Sequence, residues 1–285
     1  MRKYLLYLNL FLCLININAQ SIFTPKDVEV CSSKFTFGAD NRLDTLPINQ
    51  VVIAIGKSFI GTDYAASTLE KGEKESLVIN LSGMDCYTFL ESSLALARCI
   101  KAGKKTFKDF QKELIVIRYR DGKLNEYPSR LHYFSDWVYD MNRRGIGKDI
   151  TKEIGGIPYS KNIDFMSAHV EAYKQLHDHP HFVESISLIE KKISMRKNFW
   201  IPREEIEKNE SKIQSGDIIG ITANIAGLDI SHTGIAIRMI DGRIHLLHSP
   251  NVGFKVQITE KPLANYIQGN KKQTGIIVLR PSEVK

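Results

Sequence analysis

Residues Asn80–Cys99, NLSGMDCYTFLESSLALARC, decide how the rest of the chain is read. A polar turn containing Gly83 runs into Asp85-Cys86. Phe89, Leu90, Ser93, Leu94, Leu96 and Ala97 then crowd one side of a helical pattern that ends near Gly103. With Asp85 or Ser82 as N-cap, Cys86 falls on the first turn of that helix. There the unpaired N–H groups and the positive end of the helix dipole stabilise a thiolate and lower the thiol pKa. The charge of Asp85 opposes this wherever it turns toward the sulfur. A cysteine so placed is equally suited to being a small buried hydrophobe. A nucleophile therefore needs a base elsewhere in the chain.

The chain holds eight histidines, and the useful ones lie in SHTGIAIRMIDGRIHLLHSP, Ser231–Pro250. His232 starts a strand in which Gly234 and Ala236 alternate with Ile235 and Ile237, so small residues leave room for another element on the histidine's face. A hairpin near Asp241-Gly242 returns the chain to His245 and His248. A two-residue turn there would put His232 and His248 on opposite faces of the sheet. A three-residue loop, Ile240 to Gly242, shifts the register by one and brings both onto one face, diagonal to each other. A site that uses both imidazoles thus predicts an odd loop or a bulge in this hairpin.

The first residues, MRKYLLYLNLFLCLININAQ, carry two basic residues, an apolar run from Tyr4 to Ile17 and a small residue at Ala19. The run is too short to span a membrane and fits a signal peptide over residues 1–19. Leu12 stands before Cys13 where a lipoprotein needs a small residue, so a soluble exported protein is expected, with residues 20–285 as one domain. The formal net charge is +7, with no dense basic run interleaved with aromatics. This favours an anionic neighbour such as a wall polymer and argues against nucleic acid. Of four cysteines, Cys31, Cys86 and Cys99 follow the signal peptide. An odd number flags a free thiol. Cys86 and Cys99 lie too far apart on one helix to bond, leaving Cys31–Cys99 or Cys31–Cys86 as the possible disulfides.

Elsewhere, Ile48–Ile60 reads as a helix, ELIVIRYRDG as a strand turning at Asp121-Gly122, and SRLHYFSDWVYDMNRRG as a helix stopping at Gly145. Residues 162–196 read as polar helix broken at Pro180. The tail is β-rich: SGDIIGITA, SHTGIAIRMI, RIHLLHS and TGIIVLR. Helices first and an antiparallel sheet last predict an α+β fold.

At Asp85-Cys86, HTGI from His232 and LLHSP around His248, the chain resembles the NlpC-type papain-like cysteine hydrolases of bacterial cell walls. FIGTDYAASTLE, NLSGMDCYTFLE, YRDGKLNEYPSRLHYFSDW and AGLDISHTGI, in that order, resemble more closely the N-acetylmuramoyl-L-alanine amidase-like family within that group. The likeness runs from about Gly61 to Arg280. It implies a papain-like core with the nucleophile at a helix N-terminus on an antiparallel sheet, and a helical insertion over residues 102–215. It also implies Cys86 as nucleophile, His232 as base and acid, and His248 as the residue that orients His232. The substrate would be peptidoglycan or a muropeptide, with no metal or cofactor, met by a monomer in the periplasm or outside the cell.

The same resemblance places Tyr64 beside the nucleophile and nominates Asp85, Tyr87, Ser129, Arg130, Tyr133 and Asp229 as further substrate contacts. Arg130 suits a peptide carboxylate, although an ordinary amphipathic helix explains its neighbours as well. Tyr87 replaces the small Ser found in relatives that cut between D-glutamate and a diamino acid. Its bulk favours a substrate whose L-alanine is still joined to muramic acid. Stem endopeptidase activity and a non-catalytic wall-binding module are the competing readings. His177, His179 and His181 suggest a metal site, but their spacing across a proline, with no carboxylate or Cys cluster to complete a set, favours surface histidines.

Overall fold

The computed structural model describes residues 21–284, so the expected signal peptide lies outside the described residues. Among the described residues, no helix is long and apolar enough to cross a membrane.

Asn80 starts the turn before Cys86, its side-chain oxygen accepting from the N–H groups of Ser82 and Gly83 at 3.2 and 3.0 Å. Asp85 is the N-cap. Its carboxylate accepts from the N–H groups of Tyr87 and Thr88 at 3.0 and 2.8 Å, and its own N–H donates to the Thr88 hydroxyl at 3.0 Å. This reciprocal box fixes Cys86 as the first residue of the helix Cys86–Lys101. Nearly every side chain from Thr88 to Ile100 is buried, so this helix is enclosed rather than amphipathic. Helices Pro25–Asp40, Ile48–Ser58 and Phe107–Arg118 surround it, and the strand Ile230–Arg238 runs beneath it. The polar residues on its enclosed side need partners, and Glu91 finds one in Arg118 at 2.7 Å, both side chains 2% exposed.

The main sheet is antiparallel. Its strands lie in the order Ile157–Tyr159, Asn198–Pro202, Gln273–Pro281, Ile218–Ala223, Ile230–Arg238, Ile244–His248 and Gln257–Ile258. Gly147–Asp149 pairs with the far end of Gln273–Pro281. Alternation along the strands builds two cores. Ile218, Ile235, Ile237, Leu247, Ile277 and Leu279 face the helix of Cys86. Ile219, Ile221, Ala236, Leu246, Ile276 and Val278 face the other way, onto the helix Leu263–Gln268 and loops around Ile150 and Ile213. The fold is therefore α+β, as the order of segments implies.

The hairpin after His232 has the odd loop. Ile235 pairs with Leu247, Ala236 with Leu246, Ile237 with His245 and Arg238 with Ile244. Met239 N–H bonds Arg243 O, closing a loop of Ile240, Asp241 and Gly242, with Gly242 at φ 76°. Gly242 supplies the left-handed residue that such loops require.

Two local expectations are corrected. ELIVIRYRDG is not a strand: Phe107–Arg118 is a helix. A Thr106–Asp109 capping box starts it, and Phe110, Leu114 and Ile117 bury one face. The β-branched run Ile115-Val116-Ile117 mimics a strand only locally. The break expected at Pro180 is present: one helix ends at Asp178, and Pro180 opens the next, Pro180–Ser194, where its missing N–H costs nothing. Finally, the segment expected to be a helical insertion also supplies Gly147–Asp149, Ile157–Tyr159 and Asn198–Pro202 to the sheet. Its helices enclose a small core of their own around Tyr127, Tyr133, Met166 and Phe182.

Candidate active site

Cys86 meets the sheet at the start of the histidine strand. The backbone N–H groups of Thr233, Cys86 itself and Tyr87 lie near enough to favour its thiolate. Thr233 is the residue after His232, and the helix of Cys86 packs against this strand. A bulge at Ser231 precedes them, where Ile221 pairs with His232 but Thr222 pairs with Ile230. Such an irregularity re-aims the adjoining side chain.

His232 Nε2 lies 2.7 Å from His248 Nδ1. With Nε2 used in this way, Nδ1 is the nitrogen that His232 keeps for a reaction partner. The close approach depends on Gly234: a Cβ there would lie 2.8 Å from Leu247 O and 3.0 Å from the His248 Cβ. The Ser249 hydroxyl then donates to Met84 O at 2.6 Å, tying the end of the second histidine strand to the turn that presents Cys86. The Tyr64 loop is fastened on both sides. Met84 N–H donates to Asp63 O at 3.0 Å, and Tyr64 N–H donates to Phe254 O at 2.7 Å. Burial raises the Tyr64 hydroxyl's pKa, and the nearby charges of Cys86 and Asp85 add to it.

Electrostatically the site rests neutral. Burial pushes the Cys86 thiol up to about 12; Asp85 adds to this, and the three N–H groups oppose it. Burial pulls His232 down to about 4, and burial with His232 pulls His248 down to about 3. At neutral pH the thiol keeps its proton and both imidazoles are uncharged. Alkylation of Cys86 by iodoacetamide should therefore be slow at pH 6 and rise about tenfold per pH unit through pH 8. A rate already on a plateau at pH 5 would mean a standing thiolate–imidazolium pair instead.

Several expected substrate contacts are committed internally. Arg130, 6% exposed, pairs with Glu70 at 3.0 Å and Glu75 at 3.2 Å and lies over the Tyr127 ring. Two carboxylates already neutralise it, so it is not free for a peptide carboxylate. Tyr133 donates to Glu190 at 2.6 Å and accepts from Met166 N–H at 2.9 Å inside the smaller core. Ser129 accepts from Asn125 N–H at 3.0 Å within a turn. Asp229 is 2% exposed and accepts from Ser135 N–H at 2.7 Å, capping the helix Phe134–Arg143 from a distant strand. Asp85 spends one oxygen on its own cap. The Tyr87 ring stands edge-on to Phe134, and its hydroxyl is buried without a partner. Ser129, Arg130, Tyr133 and Asp229 are thus bonded to other parts of the chain, whereas Asp85 and Tyr87 flank Cys86 itself.

Sequence reasoning missed Ser249, the Thr233 N–H and Tyr266. Tyr266 stands edge-on to His248 with centroids 5.5 Å apart, and the charge of Cys86 helps burial raise its pKa. Ser249 adjoins a histidine already singled out, whereas Tyr266 sits in a short helix with no motif. His245 turns away from Cys86, bonding Thr259 O at 2.7 Å and Asp241 at 2.9 Å. The thiols of Cys31 and Cys99 are free and buried in one cluster, so neither possible disulfide is formed. His177 pairs with Asp178 at 2.9 Å, and His179 and His181 pack around Phe182.

An antiparallel sheet carrying two linked imidazoles, packed against a helix that begins with a cysteine, is an α+β arrangement holding residue types that acyl transfer uses. The chain belongs to the AmiA-like, N-acetylmuramoyl-L-alanine amidase-like family, which matches residues 54–276. It is similar to the crystal structure of an N-acetylmuramoyl-L-alanine amidase from Bacteroides uniformis: 35% identity, TM-score 0.77, 81% of this chain and 98% of that one. It is also similar to a Bacteroides fragilis protein that carries a provisional xylanase name: 39% identity, TM-score 0.76, covering 80% and 99%. A Legionella pneumophila protein shares the fold at 22% identity and TM-score 0.67, covering 91% and 97%. No curated protein sequence matches the chain.

Proposed function

We propose that this protein is a cysteine amidase that hydrolyses the bond between N-acetylmuramic acid and L-alanine in peptidoglycan fragments. In this reading residues 20–285 form one NlpC-type, papain-like domain with residues 102–215 inserted, exported by the first 19 residues. The observation that carries it is the 2.7 Å bond from His232 to His248, and a thiol on the first turn of a helix supports it.

Each step uses groups already in place. As substrate covers the site, Cys86 gives its proton to His232 Nδ1 while Sγ attacks the lactyl carbonyl carbon. The Cys86 N–H, unpaired at the helix N-terminus, meets the oxygen as it gains charge. His248 accepts the His232 Nε2 proton, which fixes the productive tautomer and steadies the imidazolium. His232 then protonates the L-alanine nitrogen, the C–N bond breaks, and a thioester remains on Cys86. Water, deprotonated by His232, attacks the thioester and releases the lactyl carboxylate and the free thiol.

Tyr87 supports the amidase over a stem endopeptidase for a different reason than bulk. Its side chain turns inward, so position 87 offers no hydroxyl to a free L-alanine amine. A xylanase would need two carboxylates facing each other across about 5–9.5 Å. The present reading uses a thiol and two imidazoles instead, and Asp85 is engaged as a cap. A binding module has no use for two buried imidazoles held in one tautomeric chain.

The test is to incubate wild-type and Cys86→Ala protein with defined muropeptides and weigh the products. Lactyl-bearing sugar plus intact stem peptide, absent with Cys86→Ala, is expected. A cut within the stem would establish the endopeptidase, and no Cys86-dependent product sinks both readings.

A further inference from the structure

We infer that Asp27 is a positioning residue, fixing through Leu81 the turn that presents Cys86; this deepens the amidase reading and rests on its use of Cys86 as nucleophile. Asp27 lies in the first turn of the helix Pro25–Asp40, ahead of residues 54–276 that mark the family. Its side chain is buried, at 2% exposure, and its two oxygens have separate partners. Oδ2 accepts from the Thr24 N–H at 2.8 Å and the Thr24 hydroxyl at 2.7 Å, completing the capping box of its own helix. Oδ1 accepts from the Leu81 N–H at 2.6 Å, 54 residues away. Capping explains the first oxygen and not the second.

The Leu81 bond extends a β-ladder past the point where its backbone runs out. Ser21–Ile22 pairs in parallel with Leu77–Val78, and Ile22 O accepts from the Ile79 N–H at 2.9 Å. Alternate N–H groups of a strand face the same edge, so Leu81 presents the next donor. By then the N-terminal chain has turned into its helix at Thr24, and the Asp27 carboxylate stands where a strand carbonyl would. Leu81 is 1% exposed, so its N–H depends on this partner. A carboxylate holds it more firmly than a neutral carbonyl would.

Cys86 follows Leu81 by five residues. The far end of the intervening turn is fixed at Met84, whose N–H donates to Asp63 O at 3.0 Å and whose carbonyl accepts from the Ser249 hydroxyl at 2.6 Å. Asp27 fixes the near end. Without it, the last tie to the N-terminal segment is the Ile79 bond, and residues 80–82 gain freedom just before the helix of Cys86. A reacting group displaced by as little as about 1 Å loses much of its rate.

The test uses two readouts, both below the melting temperature of every variant. One is kcat and KM on N-acetylmuramoyl-L-alanine. The other is the rate at which iodoacetamide modifies each cysteine at pH 8, read by peptide mass. Asp27→Ala should lower kcat by about ten- to a hundredfold with KM unchanged. It should also speed alkylation of Cys86 by about two- to tenfold, the range of one hydrogen bond, while buried Cys99 stays protected. Asp27→Asn keeps an oxygen for Leu81 and should retain most of both wild-type values. Thr24→Ala breaks the cap but leaves the Leu81 bond, so it should lose stability and keep kcat. An unchanged Cys86 alkylation rate in Asp27→Ala overturns the assignment. So does a Thr24→Ala variant as slow as Asp27→Ala, or alkylation of Cys99 in step with Cys86, which marks loss of the whole fold. A wild type that releases no L-alanine removes the amidase reading alone, and the alkylation rates then decide for Asp27.

Discussion

His232→Ala is expected to lower kcat/KM for the muramoyl amide by about 10³–10⁴-fold, the span of a lost general acid–base group. The loss should fall on kcat, because in the proposed mechanism His232 acts on protons moved in the transition state and not on ground-state binding. His248 gives the sharper comparison. It faces His232 through Nδ1, and Oδ1 of asparagine occupies nearly the same place as that nitrogen. His248→Asn should therefore keep most activity, whereas His248→Ala should lose about 10²-fold or more by freeing the imidazole to turn. His248→Gln, whose oxygen reaches one bond further, should resemble alanine. Equal activity in all three His248 variants would remove this residue from the mechanism, and an active His232→Ala would remove the base itself. Circular dichroism separates these outcomes from unfolding.

The histidine pair shows how far sequence alone reached. Parity of residue numbers linked the loop length to the face on which His248 lies, so the register could be inferred before any coordinates. The helix that starts at Cys86 was legible because its cap and apolar spacing are local. What sequence could not show was which polar side chains had been taken by others. Arg130, Tyr133 and Asp229 sit in segments that look like substrate walls, yet their partners Glu75, Glu190 and Ser135 lie 55, 57 and 94 residues away. Long-range satisfaction of buried polar groups leaves no periodic trace in a sequence. Phe107–Arg118 failed for a related reason. Its β-branched residues favour a strand locally, and only packing against the enclosed helix makes helix the better choice.

The same long-range logic predicts the largest effect on stability. Arg118→Met should destabilise the protein by about 3–5 kcal/mol, because it leaves the Glu91 carboxylate buried without its cation. Arg118 also donates to Val78 O at 2.6 Å, so the strand before the Cys86 turn loses a tie as well. Burial already raises the Glu91 pKa, while Arg118 lowers it. Removing Arg118 raises it further, so folded Glu91 holds a proton at pH values where the unfolded chain has released it. Stability then falls as pH rises, since the native state binds more protons than the unfolded one. The deficit of Arg118→Met against wild type should thus be smaller at pH 5 than at pH 7.5. Urea melts at both pH values measure it, and taking the difference between proteins cancels the shared histidine titrations. Glu91→Gln combined with Arg118→Met should recover part of the loss by removing the stranded charge. A deficit under 1 kcal/mol that does not change with pH would show that water already reaches this pair, and that the helix presenting Cys86 is held by apolar packing alone.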